Sequence, residues 1–387
     1  MSRIIHVQAQ ADHIESLSKA APLAAVEELV WNALDADARE VRVDLVTNAL
    51  GAVEAVRVAD DGDGIDVLSA DATFGSLGGS WKRGISETAH ARRRLHGRHG
   101  RGRFKSFALG GHVEWRTTTR SGGVLTSYVI SGDIMNPGEF ALDVELQPGP
   151  ATGTEVFISN VRANCDSLLN AVETVQSLAA RFALYLKSYP DVRIYFNGLP
   201  VTPVVVQKKT TDYRLTLENG AEAKLEIIEW KRRFVGAGRI VFAGPDGFEL
   251  HEQPAGVRTG GASFTAYLVS PRFPALAAEN ALVMDELNPE VRMYIDAAKK
   301  IIRSHFVALG DALASGRRAG WVEEGSYPFD PKDGSPEAKR FETLSVELSD
   351  RMESFTELSA AERSIVFSLL KRAMATVKRG GIKEFLK

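Results

Sequence analysis

The spacing of apolar residues changes near residue 40, and this change strongly limits the possible folds. Before it, apolar residues recur with a period near 3.6, which predicts a helix over residues 14–34 with Pro22 near its start. The residues that show this period are Leu23, Val26, Leu29, Val30, Ala33 and Leu34. After it, residues 41–46 and 55–60 alternate apolar and polar side chains, which predicts strands. We therefore expect an α+β fold.

Further along the chain, alternating segments and helical patterns extend this arrangement. They predict strands at residues 112–119, 125–130, 140–146 and 154–159, a helix over about Ser167–Lys187 and a hairpin at 192–201. A second group of three or four strands begins near Pro203, and a helix over about Pro289–His305 follows it. Residues 320–337 have the composition of a linker, and two amphipathic helical stretches come after them.

The length of 387 residues indicates two or three domains. We predict domains at residues 1–202, 203–315 and 316–387, the last consisting of the linker and a helical arm. The apolar face of this arm is expected to pack within the protein or to bind a protein partner.

Composition and charge exclude several classes of protein. Lys and Arg total 47 against 50 Asp and Glu, so the net charge of −3 argues against a generally basic protein, although not against one basic patch. Cys165 is the one cysteine, which excludes an intramolecular disulfide, suits a reducing compartment and is expected to be buried. Residues 1–15 lack the apolar core of a signal peptide, and no run approaches ~20 apolar residues. We expect a cytoplasmic location and no contact with a membrane.

Three polar residues of the predicted first helix form a candidate catalytic face. Glu28, Asn32 and Asp35 are spaced i, i+4 and i+7, so they share one side of the helix. A carboxylate and an amide oxygen one turn apart can orient a water molecule and complete the shell of a hard cation. A solvated polar face has the same pattern, so this motif alone leaves both interpretations open.

A second motif follows the strand predicted at residues 55–60. Asp60 ends this strand, and Gly62 and Gly64 follow it, which places a hydrogen-bond acceptor beside backbone that a ligand can approach closely. A plain Asp-Gly turn is the alternative. The spaced acidic ligands of an EF-hand are missing, so calcium is excluded.

A Gly- and Arg-rich stretch from about Gly75 to Arg103 is longer than an ordinary connection, as lids and binding loops are. Its glycines free backbone N–H groups for phosphate oxygens, and its lysines add positive charge. A flexible surface loop has a similar composition, while the Walker A and Rossmann frames are both absent. The candidate nucleotide-binding residues of this stretch and its end are Ser80, Lys82, Gly97, Gly100, Gly102, Lys105 and Ser106.

In their order and separation these motifs resemble those of the GHKL superfamily, the Bergerat-fold ATPases of gyrase, the ninety-kilodalton heat-shock chaperone, histidine kinases and MutL. The E-x-x-x-N-x-x-D-A frame begins at Glu28, D-x-G-x-G at Asp60, G-x-x-G-x-G at Gly97, and a late G-T lies at Gly153 and Thr154. The resemblance covers about the first 200 residues and is closest to the MutL and MORC proteins, with some likeness to the chaperone type. It implies a Bergerat-type α/β sandwich, then a smaller α+β transducer-like domain and a helical C-terminal segment.

The resemblance also implies cofactors and residue roles. Glu28 would be the general base, Asn32 the ligand of Mg²⁺, and Asp60 the acceptor for the adenine amino group of ATP, with Thr154 supporting it through water. Residues 97–106 would close over the triphosphate with Lys105 as a side-chain contact, and Asp35 belongs to the same nucleotide-binding set. We expect an ATPase that forms ADP and phosphate and closes as an ATP-gated homodimer acting on DNA or a partner protein. The alternatives are a chaperone-like ATPase and a nucleotide-gated nucleic-acid clamp with little turnover.

Three features depart from this pattern or extend it. Trp31 occupies a position that is usually acidic in MutL and MORC proteins, and no arginine stands where the chaperone senses phosphate, which leaves Lys231 and Arg272 as weak candidates. A basic run near the lid is either a solvated, mobile segment whose arginines pair with acidic neighbours or with nucleotide, or a contact for nucleic acid. The basic residues are Arg83, Arg92, Arg93, Arg94, Arg98, Arg101 and Arg103, with His90, His96 and His99. The histidines lack the spacing of a metal site, so no metal besides Mg²⁺ is expected.

Overall fold

The computed structural model describes residues 20–66, 70, 74, 87–96, 102–136, 138–144, 149–232, 237–259, 261–284, 287–351, 355 and 357–376. The chain forms two compact units, one of Met1–Ala255 with Ala262–Tyr294 and one of Gly256–Gly261 with Ile295–Lys387. Both β-sheets belong to the first unit. The α+β class is confirmed, while the predicted domain boundaries stay predictions.

Helix α1 spans Pro22–Asp35 and carries the first motif. It begins at Pro22, later than residue 14, because proline is favoured in the first turn and Ala20 and Ala21 are not helical. Residues 14–19 lie outside the described residues. Val26, Val30 and Leu34 are almost fully buried in one core with the first sheet, which fixes the helix and leaves its polar side partly accessible.

The first sheet has eight strands in the order β5-β4-β3-β6-β2-β1-β7-β8. The strands are β1 (Glu40–Thr47), β2 (Val53–Asp60), β3 (Gly110–Ser121), β4 (Val124–Asp133), β5 (Phe140–Val144), β6 (Gly153–Val161), β7 (Arg193–Phe196) and β8 (Leu199–Pro200). Neighbouring strands are antiparallel except β1 and β7, which are parallel. All predicted strands of this region are present, and Asn197 and Gly198 make the predicted hairpin turn with positive φ values of 47° and 75°.

Short helices accompany this sheet. Helix α2 (Gly102–Lys105) runs into a 3-10 turn at Ser106–Ala108, and a second 3-10 segment spans Ala163–Leu169. The helix predicted over Ser167–Lys187 is divided into α3 (Ala171–Arg181) and α4 (Ala183–Ser188) at Phe182, which departs from helical geometry and is fully buried.

The second sheet has five strands in the order β12-β11-β13-β10-β9. The strands are β9 (Gln207–Thr216), β10 (Glu222–Trp230), β11 (Arg239–Ala243), β12 (Glu249–Pro254) and β13 (Phe264–Val269), with short helices α5 (Pro203–Val206) and α6 (Phe273–Ala278). The sequence did not predict β12, because its six residues are mostly polar and do not alternate. It is a strand because it pairs with β11 along its length.

The remaining helices are α7 (Pro289–Glu323), α8 (Pro336–Arg351) and α9 (Ala360–Thr376). The prediction that the first of these ends near His305 and that a linker begins at Gly320 was wrong, since α7 continues to Glu323. Trp321 near its end is buried beside Phe341 and Phe367, and this packing stabilises the last turns despite their glycines. Among the described residues, no helix is long and apolar enough to cross a bilayer.

Candidate active site

Three adjacent strands form one end of the candidate site. The register pairs Thr117 of β3 with Thr154 of β6, and Thr154 with Asp60 of β2, so these three side chains lie in one row across the sheet. Asp60 Oδ1 accepts hydrogen bonds from the N–H groups of Gly62 at 2.9 Å and Thr154 at 3.3 Å. Within the described part of the chain Asp60 Oδ2 accepts none, which leaves one carboxylate oxygen for a ligand.

Burial raises the pKa of Asp60 to about 7, although the two backbone hydrogen bonds act in the opposite direction and Asp61 adds to the rise. The carboxyl group therefore titrates near neutral pH. In its ionised form it is a strong hydrogen-bond acceptor, and its half-buried position leaves it accessible to a ligand.

The glycines of the second motif fit close against their surroundings. A Cβ at Gly62 would lie 2.5 Å from the carbonyl oxygen of Ala36, and Gly64 has a φ of 75° with the carbonyl oxygen of Thr118 directly beside it. Gly153 likewise lies against the carbonyl oxygen of Asp60. Side chains at these positions would displace backbone, so only glycine allows the segments to pack this closely here.

Thr117 belongs to this end of the site and was missed by the sequence analysis. Its Oγ1 lies 3.0 Å from Thr154 Oγ1 and accepts a hydrogen bond of 2.9 Å from the N–H of Ile65, so it joins the strand row to the turn after Gly64. The side chain is buried, which favours such pairing. Only the run of three threonines in β3 could have drawn attention to it.

The other end of the site is formed by α1 and the segment Gly102–Ser106. Glu28 and Asn32 lie one turn apart on α1, and both are half-buried. Lys105 Nζ lies 2.7 Å from Glu28 Oε2, so the lysine predicted to contact phosphate forms an ion pair with the predicted general base. Ser106, directly after it, is fully buried.

Asp35 has a different environment from Glu28 and Asn32. Only 5% of it is exposed, and its Oδ1 accepts a 2.7 Å hydrogen bond from the N–H of His96. It holds the chain that leads into the predicted lid against the end of α1. Its predicted role in binding nucleotide stays a prediction.

Several predicted site residues lie outside the described residues. They are Ser80, Lys82, Gly97 and Gly100, together with Arg83, Arg98, Arg101 and His99. Gly102 is the first residue of α2.

The described arginines of the basic run differ in environment. Arg93 is 2% exposed and donates a 2.8 Å hydrogen bond to the carbonyl oxygen of Ala38, while Arg94 pairs with Asp246 at 2.9 Å. Arg92 is exposed. Arg94 therefore pairs with an acidic neighbour, as the first interpretation of the basic run expects, whereas Arg93 is buried and is not part of a solvated segment.

Asp37 anchors the same run. It has a φ of 62°, and its carboxylate accepts hydrogen bonds from the N–H groups of His90 and Ala91. Burial acts to raise the pKa of Asp37, but hydrogen bonds from Thr88, His90 and Ala91 and the charge of Arg93 hold it below its ordinary value.

The unusual Trp31 has aromatic neighbours. Its ring stacks on His96 with centroids 4.2 Å apart and an interplanar angle of 11°, and it also contacts Phe182 and Tyr185. An acidic residue here would bury a charge among aromatic rings, which is costly, so the aromatic neighbours favour an aromatic residue at position 31.

The weak candidates for a phosphate sensor have other partners. Lys231 Nζ donates to the carbonyl oxygen of Val205 at 2.8 Å, and Arg272 pairs with Glu290 at 2.8 Å. Cys165 is buried, as expected, and burial raises the pKa of its thiol to about 11.

The donor set fits Mg²⁺ bound together with phosphates. Asn32 offers one amide oxygen beside the Glu28 carboxylate, and Mg²⁺ commonly uses one or two protein oxygens with phosphates and water. In the described residues, this site included, no cluster of three or more His, Cys, Asp or Glu side chains could hold a metal ion.

The described geometry can be compared with known proteins. Residues 21–147 match the family model of the histidine kinase-, DNA gyrase B- and HSP90-like ATPases. The match covers α1, the motif at Asp60 and the segment of Lys105, and it supports a GHKL-type ATPase domain in this part of the chain. No curated protein matches the chain.

Proposed function

We propose that the protein is a Mg²⁺-dependent, ATP-binding and ATP-hydrolysing molecular switch. The observation that carries the proposal is the arrangement of Asp60 and Thr154 in adjacent strands beside a helix that presents Glu28 and Asn32. One end offers a directed acceptor and close backbone, and the other offers a base and a cation ligand. The match of residues 21–147 to ATPases supports the same function.

At the first end, Asp60 Oδ2 would accept a hydrogen bond from the amino group of adenine. Thr154, which is held by Thr117, would support this contact through water. Gly62 and Gly64 let the backbone pass close to the base and ribose. The row is fixed by strand register, so this end needs little rearrangement to bind the base.

At the second end, Asn32 would hold Mg²⁺, which when bound neutralises charge on the phosphates. Glu28 would accept a proton from the attacking water as the bond from water oxygen to γ-phosphorus forms and the bond to the β–γ bridging oxygen breaks. ADP and phosphate leave. Lys105 pairs with Oε2 of Glu28, so a bound γ-phosphate would compete for the lysine, and a lysine drawn to the phosphate would leave the carboxylate a stronger base.

The test of this proposal is the substitution Glu28→Ala. The variant is expected to bind ATP and to hydrolyse it about 10²- to 10⁴-fold more slowly, as follows from removal of a general base. Glu54→Ala, which removes an exposed carboxylate from β2, is the control and should keep normal turnover. Normal turnover by Glu28→Ala would exclude Glu28 as the base.

We further propose that ATP binding brings two copies together and that the dimer acts on DNA or on a partner protein. The support for this is the motif resemblance. Sedimentation or small-angle scattering with a non-hydrolysable ATP analogue tests it, and a monomer at saturating analogue would contradict it.

A nucleotide-gated clamp on nucleic acid is the second candidate, and exposed Arg92 is the described residue that favours it. Arg92→Gln should weaken salt-dependent DNA binding if the clamp proposal holds. A chaperone-like activity would instead appear as suppressed aggregation of a client protein.

A further inference from the structure

Arg181, the last residue of α3, links α1 to the second sheet. Arg181 Nε lies 3.7 Å from Oε2 of Glu27, which is the neighbour of Glu28 on α1. Its Nη1 lies 3.1 Å from Glu249 Oε2 and 2.9 Å from Glu252 Oε2, and both of these residues belong to β12. One guanidinium therefore joins the first half of α1 to a strand of the second sheet.

This contact is partly buried, with Glu249 as its most buried member. The Glu249 side chain is 8% exposed, and burial raises the pKa of Glu249 to about 7 and that of Glu27 above its ordinary value, with Arg181 acting against both rises. Arg239 of β11 also pairs with Glu252, and Tyr267 of β13 donates to the carbonyl oxygen of Ala180 at 2.9 Å. A partly buried network with this many partners restricts the positions of its members.

A second contact reaches the other end of α1 through the strap, the segment of residues 87–96. His96 stacks on Trp31 and donates its N–H to Asp35, so the strap is attached to the last turns of α1. Arg94 of the strap pairs with Asp246 at 2.9 Å, and its guanidinium lies 6.0 Å from the ring centroid of Phe248. The Phe248 ring also contacts His96, with centroids 5.8 Å apart.

Both contacts involve the same hairpin of the second sheet. Asp246 and Phe248 lie in the connection between β11 and β12, and Glu249 and Glu252 lie in β12. On α1 the attached residues are Glu27 on one side and Trp31 with Asp35 on the other. Glu28 and Asn32 lie within this span, so the hairpin holds the part of the helix that carries the proposed catalytic groups.

We infer that the β11–β12 hairpin positions α1 for hydrolysis, with Arg94 and Arg181 as positioning residues. The inference rests on the proposed ATPase function. The hairpin would link the nucleotide site to the second sheet without a lysine or arginine of that sheet contacting the phosphates. Lys231 and Arg272, the candidates for such a contact, have other partners. A shift of the hairpin moves the helix, and a shift of the helix at the phosphates moves the hairpin.

The test uses the contact between Arg94 and Asp246, because loss of Arg181 would leave the buried carboxylate of Glu249 without a partner and could unfold the protein. Asp246→Asn removes the charge that pairs with Arg94 and touches no proposed nucleotide contact. We expect kcat to fall about 3- to 10-fold with the Kd for ATP unchanged, as is usual for coupling residues. Asp143→Asn, the same substitution at an exposed site on β5, is the control and should leave kcat unchanged.

Charge reversal distinguishes a specific pair from a general loss of stability. Arg94→Asp and Asp246→Arg should each lower kcat, and the double variant should recover most of it. Hydrogen exchange without nucleotide is measured on the same variants, and Asp246→Asn should speed exchange at residues 31–35 of α1.

Each outcome has one meaning. Unchanged kcat and unchanged exchange in Asp246→Asn, or no recovery in the double variant, overturns the inference while the ATPase proposal stands. A wild-type protein that neither binds nor hydrolyses ATP overturns the ATPase proposal. In that case, faster exchange at residues 31–35 in Asp246→Asn still supports the attachment of hairpin to helix, and unchanged exchange overturns it.

Discussion

The two ends of the candidate nucleotide site are held by different kinds of contact. Asp60, Thr154 and Thr117 lie in three neighbouring strands, and backbone register and short hydrogen bonds fix their distances. Glu28 lies on a helix, and its partner Lys105 comes from a separate segment and meets it through a side-chain ion pair. The end with Asp60, here the base end because it would bind the adenine base, is thus formed by the sheet itself. The end with Glu28, here the phosphate end, holds the proposed general base in an ion pair with Lys105. Recognition and hydrolysis should therefore be separable by mutation.

After the loss of turnover expected of Glu28→Ala, the largest effect is expected in binding at the phosphate end, with Asn32→Ala. Removing a ligand of a charged group costs about 2–3 kcal/mol, or on the order of 30- to 150-fold in the Kd for Mg-ATP. Calorimetric titration with and without EDTA measures this. The variant in Mg²⁺ should bind like the wild type in EDTA, and a variant that keeps its response to Mg²⁺ would show that Asn32 is not the ligand.

At the base end, Gly64→Ala is expected to destabilise the fold itself. Gly64 has a φ of 75°, and a Cβ would meet the carbonyl oxygen of Thr118, so we expect a loss of about 2 kcal/mol or more. Gly51→Ala is a matched control, since Gly51 has a φ of 80° and open space around it and should lose only about 1 kcal/mol. Denaturant unfolding compares the two. Equal losses would mean that the close packing of Gly64 is unimportant.

A smaller effect on ATP binding is expected from pH, through Asp60 at the base end. With a pKa of about 7, Asp60 is mostly protonated at pH 6, so ATP should bind up to about 10-fold more weakly there than at pH 8. The stability of the unliganded protein depends on pH in the opposite direction from ATP binding. A pKa raised from 3.8 makes the contribution of Asp60 to stability greatest at low pH, and this contribution is lost as pH rises through 7.

The measurement that checks this prediction is the Kd for ATP between pH 6 and pH 8, in the wild type and in Asp60→Asn. This variant retains the titration of ATP phosphates and of Glu249, so the difference between the two profiles reports Asp60. Parallel profiles would show that Asp60 does not accept a hydrogen bond from the base.

Local patterns predicted much of the fold. The alternation at residues 41–46 and 55–60 and the apolar stripe of α1 are properties of short segments, and burial on one face enforces them in the structure. Strand β12 and the later turns of α7 lack such patterns. Pairing with β11 stabilises the first, and packing of Trp321 stabilises the second.

The candidate site was predictable where its residues are adjacent in sequence. Glu28 and Asn32 share a helix face, and Asp60 stands directly before its glycines. Thr117 lies 37 positions from Thr154 and meets it only because β3 and β6 are neighbours in the sheet. The partners of Arg93 and Arg94 likewise lie far away in sequence, so charge count alone could not separate a buried anchor from an exposed contact.

The sequence by itself determined the α+β class, the main strands and the short motifs, because these depend on spacing within a few residues. Only the tertiary structure decided that Lys105 forms an ion pair with Glu28, that Asp35 and Arg93 hold the strap, and that the β11–β12 hairpin contacts α1 through Arg181 and the strap. Those contacts depend on which distant segments meet in the folded chain. For the buried members, Asp35 and Arg93, an unpaired charge would be costly, so each needs a partner.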